Sequence, residues 1–129
     1  MDDSALAIQK LRELNLVINA AENDGKAAVL EQRLCAEAGE GGERRPLLAI
    51  RRMSGLCEGA AAFLKKVQDG GDRVIDPDGI EVQLLGRYRA LVKCVVATKG
   101  KRIDNLRVFV REDASKQEWK LLAWANEEV

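Results

Sequence analysis

Arg107 is the side chain whose type and position best suit chemistry in this sequence. It alternates with Phe109 in the run Arg107-Val108-Phe109-Val110-Arg111, which is typical of a β-strand. A guanidinium on the inner side of a sheet can anchor a carboxylate, a phosphate or a carbonyl group. On the outer side it would instead pair with an acid at the surface, as many strand arginines do. The strand pattern alone leaves both interpretations open.

Two residues near the C-terminus could contact the same ligand. Asn126 lies within a predicted strand, where a buried amide needs hydrogen-bond partners and a ligand can be one of them. Trp124 is large and apolar, so it suits either a ligand-binding wall or the core. Arg107, Asn126 and Trp124 are therefore the first candidates for a binding site.

Conventional catalytic and metal chemistry finds little support in the composition. The chain has no histidine, and its three cysteines, Cys35, Cys57 and Cys94, are too widely spaced for a metal site or a disulfide framework. Cys94 lies on the apolar side of a predicted strand, where a small buried thiol is common. No carboxylate is placed as an obvious general base. We therefore expect no metal and no cofactor.

Length and charge restrict the class of protein further. The chain has 129 residues, with 21 basic and 21 acidic side chains and no block of like charge. Residues 1–129 are thus expected to form one domain with no affinity for nucleic acid. No apolar run reaches membrane-spanning length, and the acidic start Met1-Asp2-Asp3-Ser4 is unlike a signal peptide. These features predict a soluble cytoplasmic protein without a membrane partner.

Helical periodicity predicts three helices in the first half of the chain. Asp3 or Ser4 can cap the first helix, and Asp24 can cap the second, which has Ala27, Leu30 and Leu34 on one face. The third is expected between Gly59 and Asp69. Three features are expected between the second and third helices. They are a polar, glycine-rich segment from Cys35 to Arg45, a short strand at Leu47-Leu48-Ala49-Ile50 and a turn at Met53-Ser54-Gly55. The apolar stripe of the first helix consists of Ala7, Leu11, Leu14, Ile18 and Ala21.

The second half of the chain predicts an antiparallel meander. Four strands are expected, at Ile80 to Leu85, Tyr88 to Thr98, Arg102 to Arg111 and Gln117 to Glu127. In the second of these, Ala90, Val92, Cys94 and Val96 share the core face. The last strand is apolar on both faces, which predicts a central position in the sheet. The predicted fold class is α+β.

Four segments of the sequence together carry a family resemblance. They are Ala20-Ala21-Glu22-Asn23-Asp24-Gly25, Gly59-Ala60-Ala61-Ala62-Phe63-Leu64, Arg107-Val108-Phe109-Val110-Arg111 and Trp119-Lys120-Leu121-Leu122-Ala123-Trp124-Ala125-Asn126-Glu127. These segments resemble the nuclear transport factor 2-like superfamily, and in particular its SnoaL-like and uncharacterised small bacterial members. The resemblance implies a cone, in which a curved antiparallel sheet wraps around three helices and encloses a pocket, in a homodimer packed through the sheets.

The resemblance also assigns the faces of the sheet. The arginine that points into the pocket of the association domain of calcium/calmodulin-dependent kinases matches Arg107, whereas two other pocket arginines fall at Asn126 and near Val96. The implied inward set is Arg107, Phe109, Leu122, Trp124 and Asn126, together with Val92, Cys94 and Val96. The implied outward set, a candidate dimer interface, is Leu106, Val108, Leu121, Ala123 and Ala125. The implied ligand-binding residues are Arg107, Asn126, Trp124, Phe109, Phe63 and Cys94.

Catalytic residues of the superfamily are not matched here. The ketosteroid isomerases use a tyrosine on the first helix and a carboxylate after the second. This chain has no tyrosine in its first helix, and only Glu40 or Glu43 lies near the carboxylate position. The limonene epoxide hydrolases combine an arginine with aspartates. Asp104 is an odd number of positions from Arg107 in the predicted strand, so its side chain is expected on the opposite face of the sheet.

Two hypotheses of different class follow. The first is a homodimeric domain with an apolar pocket for a small carboxylate or carbonyl compound, with a SnoaL-like or ketosteroid-isomerase-like lyase or isomerase as its catalytic alternative. The second is a dimerisation module without catalysis. A core filled by Phe63, Trp124 and Phe109 would favour the second hypothesis.

Overall fold

The computed structural model describes residues 2–34, 48–51 and 56–129, and for residues 48–51 and 56–58 the backbone alone. Two of the predicted segments lie outside the described residues. They are the segment from Cys35 to Arg45, which contains Glu40 and Glu43, and the turn at Met53-Ser54-Gly55. The elements are α1 (Asp3–Asn23), α2 (Ala27–Glu31), β1 (Leu48–Arg51), β2 (Leu56–Glu58), α3 (Ala60–Val67), β3 (Val74–Ile75), β4 (Glu81–Leu85), β5 (Arg89–Thr98), β6 (Lys101–Val110) and β7 (Lys120–Glu128). None of the helices in the described part of the chain combines the length and hydropathy that crossing a membrane requires.

The sheet confirms the predicted α+β class and the curved antiparallel meander. Its strand order is β2-β1-β7-β6-β5-β3, with β4 also paired to β5. β7 lies between β1 and β6, as its apolar faces predicted. Among the described strand pairs, β1 and β7 are parallel and the others antiparallel. The short strands β2 and β3 were not predicted, since two or three residues carry too little alternation to detect.

Helix α1 packs its predicted stripe into the core. Ala7, Leu11, Leu14, Ile18 and Ala21 are all buried, and the helix contacts β3, β4 and β5. The capping predictions were wrong by a residue or two. Asp2 caps α1 by accepting a hydrogen bond from the Ala5 amide at 2.8 Å, and Asp24 ends α1, since α2 begins after Lys26.

A glycine junction joins the ends of α1 and α3. Gly70 has a φ of +71°, and the Gly71 amide donates to the Asn23 carbonyl oxygen at 3.1 Å. The Asn23 side chain then brackets Arg73: its Oδ1 accepts from the Arg73 amide, and its Nδ2 donates to the Arg73 carbonyl oxygen, both at 2.7 Å. These bonds hold the backbone of Arg73 beside the last turn of α1.

A β-bulge changes which side of β7 faces the core. Val108 pairs with Ala123, but Phe109 pairs with Leu121, so Leu122 is an extra residue on β7. Leu121 is therefore buried at 1% exposure, whereas Leu122 is 38% exposed. The predicted faces of these two leucines were wrong, because strict alternation holds only where the register is unbroken.

Candidate functional site

Arg107 lies inside the molecule and is paired within the chain. Its side chain is 3% exposed, and both of its terminal nitrogens reach α1. Nη1 donates to Asn15 Oδ1 and Nη2 donates to Glu22 Oε1, each at 2.6 Å. A buried guanidinium needs such partners, because an unpaired buried charge costs several kcal/mol.

Glu22 connects Arg107 to a second arginine. Its other carboxylate oxygen, Oε2, lies 3.2 Å from Arg73 Nε, which is close enough for an ion pair. The N–H of Arg73 Nε nevertheless has no hydrogen-bond partner among the described residues, and neither does Asn19 Oδ1, although both atoms are buried. Glu22 and Arg73 are 11% and 17% exposed, so this end of the cluster is nearer to solvent than Arg107.

The charges of this cluster do not balance. Two guanidinium groups, Arg107 and Arg73, share the carboxylate of Glu22. Burial lowers the pKa of Arg107, the charge of Glu22 opposes that shift, and the charge of Arg73 adds to it. Asp72, the acid next to Arg73 in sequence, is engaged elsewhere: its carboxylate accepts from Thr98 Oγ1 at 2.6 Å and from the Lys99 amide at 3.2 Å.

A chain of polar side chains continues from Arg107 across the inner face of the sheet. Asn15 Nδ2 contacts Cys94 Sγ at 3.7 Å, and Cys94 Sγ contacts Asn105 Oδ1 at 4.0 Å. Asn105 Nδ2 then donates to Asn126 Oδ1 at 2.6 Å. We call this set the polar layer: Asn15, Glu22, Arg73, Cys94, Asn105, Arg107 and Asn126. It brings Arg107 and Asn126 into one network through Cys94, which the sequence analysis selected, and through Asn15 and Asn105, which it did not.

The aromatic residues of the predicted site pack in the core. The rings of Phe63 and Trp124 are 4.5 Å apart between centroids and inclined at 51°. Phe109 is fully buried, and Trp124 lies opposite Arg107 in the register of β6 and β7. These three side chains therefore fill space next to the polar layer.

Metal binding gains no support from the described residues. Within residues 2–34, 48–51 and 56–129, no group of three or more His, Cys, Asp or Glu side chains could hold an ion. Cys94, a buried free thiol, contacts the amide side chains of Asn15 and Asn105.

A groove of about 570 Å³ lies elsewhere than the predicted pocket. Its exposed side chains Lys93, Val95 and Asp104 alternate with the buried residues of β5 and β6, so they point away from the helices. Asn126 and Cys94 border the groove, whereas Arg107, Trp124, Phe109 and Phe63 do not. The lining is Gly79, Glu81, Lys93, Cys94, Val95, Asp104, Asn105, Leu106, Ala125, Asn126 and Glu127.

The groove belongs to the side of the sheet that we call the outer face. The centre of the outer face is apolar and partly accessible to solvent, with Val95 at 39% exposure. Charged side chains, including Arg89, Lys93 and Asp104, are exposed around this centre. The apolar members of the outer face are Leu91, Val95, Leu106, Val108, Val110, Ala123 and Ala125.

Four members of the polar layer were not predicted, and the signals for them differ. Asn15 and Glu22 are seven residues apart, two helical turns, and border the apolar stripe of α1. Asn105 shares strand parity with Arg107. These three could have been found from periodicity. Arg73 carries no such signal, because the glycine junction decides its position.

The comparisons with known proteins identify the fold. No protein-family model matches the sequence, and no curated protein matches it either. A solved NTF-2 like protein of unknown function from Silicibacter pomeroyi DSS-3 is similar over 100% of both chains, with 16% identity and a TM-score of 0.73. A CaMKII hub from S. rosetta is similar over 94% of this chain and 95% of that one, with 19% identity and a TM-score of 0.66.

A cystatin-like fold protein from Burkholderia xenovorans LB400 is similar over 95% of this chain and 92% of that one, with 9% identity and a TM-score of 0.69. Identities this low show the fold and leave function open. The helices, the curved sheet and these structural neighbours together show that the chain has the nuclear transport factor 2-like fold, as its sequence predicted.

Proposed function

We propose that this protein is a homodimeric association domain that assembles through the outer face of its sheet. The observation that carries the proposal is the apolar centre of that face, which is partly accessible and surrounded by charged side chains. An apolar centre with a polar rim is the usual composition of a protein–protein interface. The face is continuous across β5, β6 and β7, so a second copy can pack against it as a two-fold partner.

The interior supports association rather than catalysis. Phe63, Trp124 and Phe109 fill the core, which is the arrangement expected of a dimerisation module. A SnoaL-like or ketosteroid-isomerase-like reaction would need a free general base. Glu22 is the carboxylate of the polar layer, but both of its oxygens lie against guanidinium groups. Neither oxygen is therefore free to take a proton from a substrate.

Solution mass tests the association. Light scattering of the full chain at micromolar concentration should give twice 14.2 kDa. A mass of 14.2 kDa at tens of micromolar would refute the proposal, because an interface of this kind should be occupied at that concentration.

Binding of a small molecule at the polar layer is a second candidate function. The specific observation in its favour is the pair of unsatisfied buried atoms, Arg73 Nε and Asn19 Oδ1, beside the Arg107 cluster. Buried polar atoms without partners are uncommon in folded proteins, and an acceptor oxygen of a ligand can complete the hydrogen bonding of the Arg73 Nε–H. The ligand would be a small, mostly apolar carboxylate or carbonyl compound. Its proposed contacts are Arg107, Asn126, Trp124, Phe109, Phe63 and Cys94.

A thermal-shift screen of small carboxylates and carbonyl compounds tests this second function. A true ligand should stabilise the protein by about 2.7 kcal/mol at a hundredfold excess over its dissociation constant. The effect should disappear in Arg107→Met. Hits that stabilise this variant equally would exclude Arg107 from the site.

A further inference from the structure

We infer that the Arg73 end of the Arg107–Glu22–Arg73 cluster binds a small organic carboxylate, with Arg73 as the residue that receives it. The inference goes beyond dimerisation. It deepens the ligand-binding candidate by choosing an anion over a neutral carbonyl compound and by naming a residue that the predicted site does not contain.

The choice of an anion rests on the charge count. Arg107 and Arg73 carry two positive charges, and Glu22 supplies one negative charge. The cluster is mostly screened from water, so its excess positive charge is costly without a counterion. Asp72, the acid adjacent to Arg73, is fully exposed and engaged by Thr98 and Lys99. A bound carboxylate would neutralise the cluster, whereas a neutral carbonyl compound would not.

The choice of Arg73 rests on hydrogen bonding and exposure. Both terminal nitrogens of Arg107 already donate, to Asn15 and to Glu22. The buried Arg73 Nε has no hydrogen-bond partner in the part of the chain that the structure describes, and the Arg73 side chain as a whole is 17% exposed against 3% for Arg107. A ligand from solvent therefore reaches the Arg73 side chain before that of Arg107.

The surrounding backbone makes this position rigid. The Asn23 side chain bonds both the amide and the carbonyl oxygen of Arg73, and Asn19 Nδ2 lies 3.3 Å from the same carbonyl oxygen. A site held in this way loses little conformational entropy when it binds an anion.

Matched pairs of acids and amides test the inference on the unmodified chain. Acetate, propionate and benzoate are compared with acetamide, propionamide and benzamide by NMR titration at constant ionic strength, following the Arg73 Nε–H resonance. The acids should shift this resonance with saturation, and each amide should bind at least tenfold more weakly. Equal binding of acids and amides, or an identical response to chloride alone, would overturn the inference.

Two variants locate the site. Arg73→Gln should weaken carboxylate binding at least tenfold, while Arg12→Gln, at an exposed position of α1, should leave it unchanged. Light scattering on the same samples separates the two proposals, since Arg73 lies away from the outer face. Loss of binding with an intact dimer mass supports the site, and unchanged binding in Arg73→Gln removes it whatever the mass.

Glu22→Gln gives the sharpest distinction from a purely structural cluster. This substitution removes the internal counterion, so a carboxylate should bind about tenfold more tightly and should raise the melting temperature more than in the unmodified protein. If the role of Glu22 were only to pack in the cluster, acetate would raise the melting temperature of this variant no more than acetamide does. That result would contradict the inference.

Discussion

Each face of strands β5, β6 and β7 contains some side chains of the type that usually lies on the opposite face. On the inner face Arg107 and Asn105 are buried, and Asn105 donates to the half-buried Asn126. The outer face presents apolar side chains such as Val95 and Leu106 where solvent can reach them. Both arrangements are costly in an isolated chain, unless a partner satisfies each of them.

The two faces differ in how far the chain's own residues satisfy these side chains. On the inner face, Asn15 and Glu22 of α1 accept hydrogen bonds from Arg107. The Arg73 Nε–H remains without a hydrogen bond among the described residues. On the outer face the apolar centre remains accessible across three strands. We therefore expect the outer face to accept a macromolecular partner and the inner face to accept a small one.

Breaking the Arg107–Glu22 pair should have the largest effect. Glu22→Leu leaves the guanidinium of Arg107 buried without its carboxylate, which should lower the free energy of unfolding by about 3–5 kcal/mol. Urea denaturation followed by circular dichroism measures this change. The double variant Glu22→Leu/Arg107→Met should be less destabilised than Glu22→Leu alone. A double variant that loses the sum of the single losses would show that the two residues do not act as a pair.

A charge on the outer face should have the next largest effect. Ala123 lies between Val108 of β6 and the backbone of β1, so Ala123→Arg places an unpaired cation in the proposed interface. The dimer dissociation constant should rise about hundredfold, or about 2.8 kcal/mol at 1.4 kcal/mol per tenfold. Light scattering across a dilution series measures it. Val17→Arg, on the exposed side of α1, is the control and should leave the mass unchanged.

A substitution at the glycine junction tests whether the backbone holds Arg73 against the inner face. Gly70→Ala adds a Cβ at 2.9 Å from the Asn23 carbonyl oxygen to a residue with a φ of +71°. We expect a loss of about 2 kcal/mol from the left-handed backbone and the contact together. Gly86→Ala has a similar φ of +76° but no atom within 4 Å, so it should lose only about 1 kcal/mol. Equal losses in thermal unfolding would mean that the junction tolerates the extra carbon.

The smallest effect concerns Asp72, which faces solvent while its neighbour Arg73 joins the inner cluster. Hydrogen bonds from Thr98 Oγ1 and the Lys99 amide lower the pKa of Asp72. A lowered pKa in the folded state adds stability when the pH is above the ordinary aspartate pKa of about 3.9. This stability is lost as the pH falls through the pKa of the folded state.

Carbon-13 NMR titration of the carboxyl group measures that shift. Thr98→Val should raise the pKa of Asp72 toward its ordinary value. The pKa of Asp113, lowered by Ser115, should not change in this variant. A pKa of Asp72 that is insensitive to Thr98→Val would assign the shift to another group.

The sequence predicted most of the elements because their patterns are local. The stripe of α1 and the alternation of Ala90, Val92, Cys94 and Val96 in β5 repeat with the periods of a helix and a strand, and all of these residues are buried. The prediction failed at Leu121 and Leu122, where the Leu121 amide donates to the Arg33 carbonyl oxygen and the register of β7 shifts. A bulge depends on contacts with distant segments, so alternation cannot reveal it.

The sequence by itself determined the fold class, the stripe of α1 and the parity that puts Arg107 with Phe109, because each follows from side-chain direction within one element. Only the tertiary structure decided which acid reaches Arg107, where Arg73 lies and which leucine of β7 faces inward. Glu22 and Arg107 are 85 residues apart, and their distance depends on how α1 crosses the sheet. An ion pair between elements is set by packing geometry, which no local periodicity encodes.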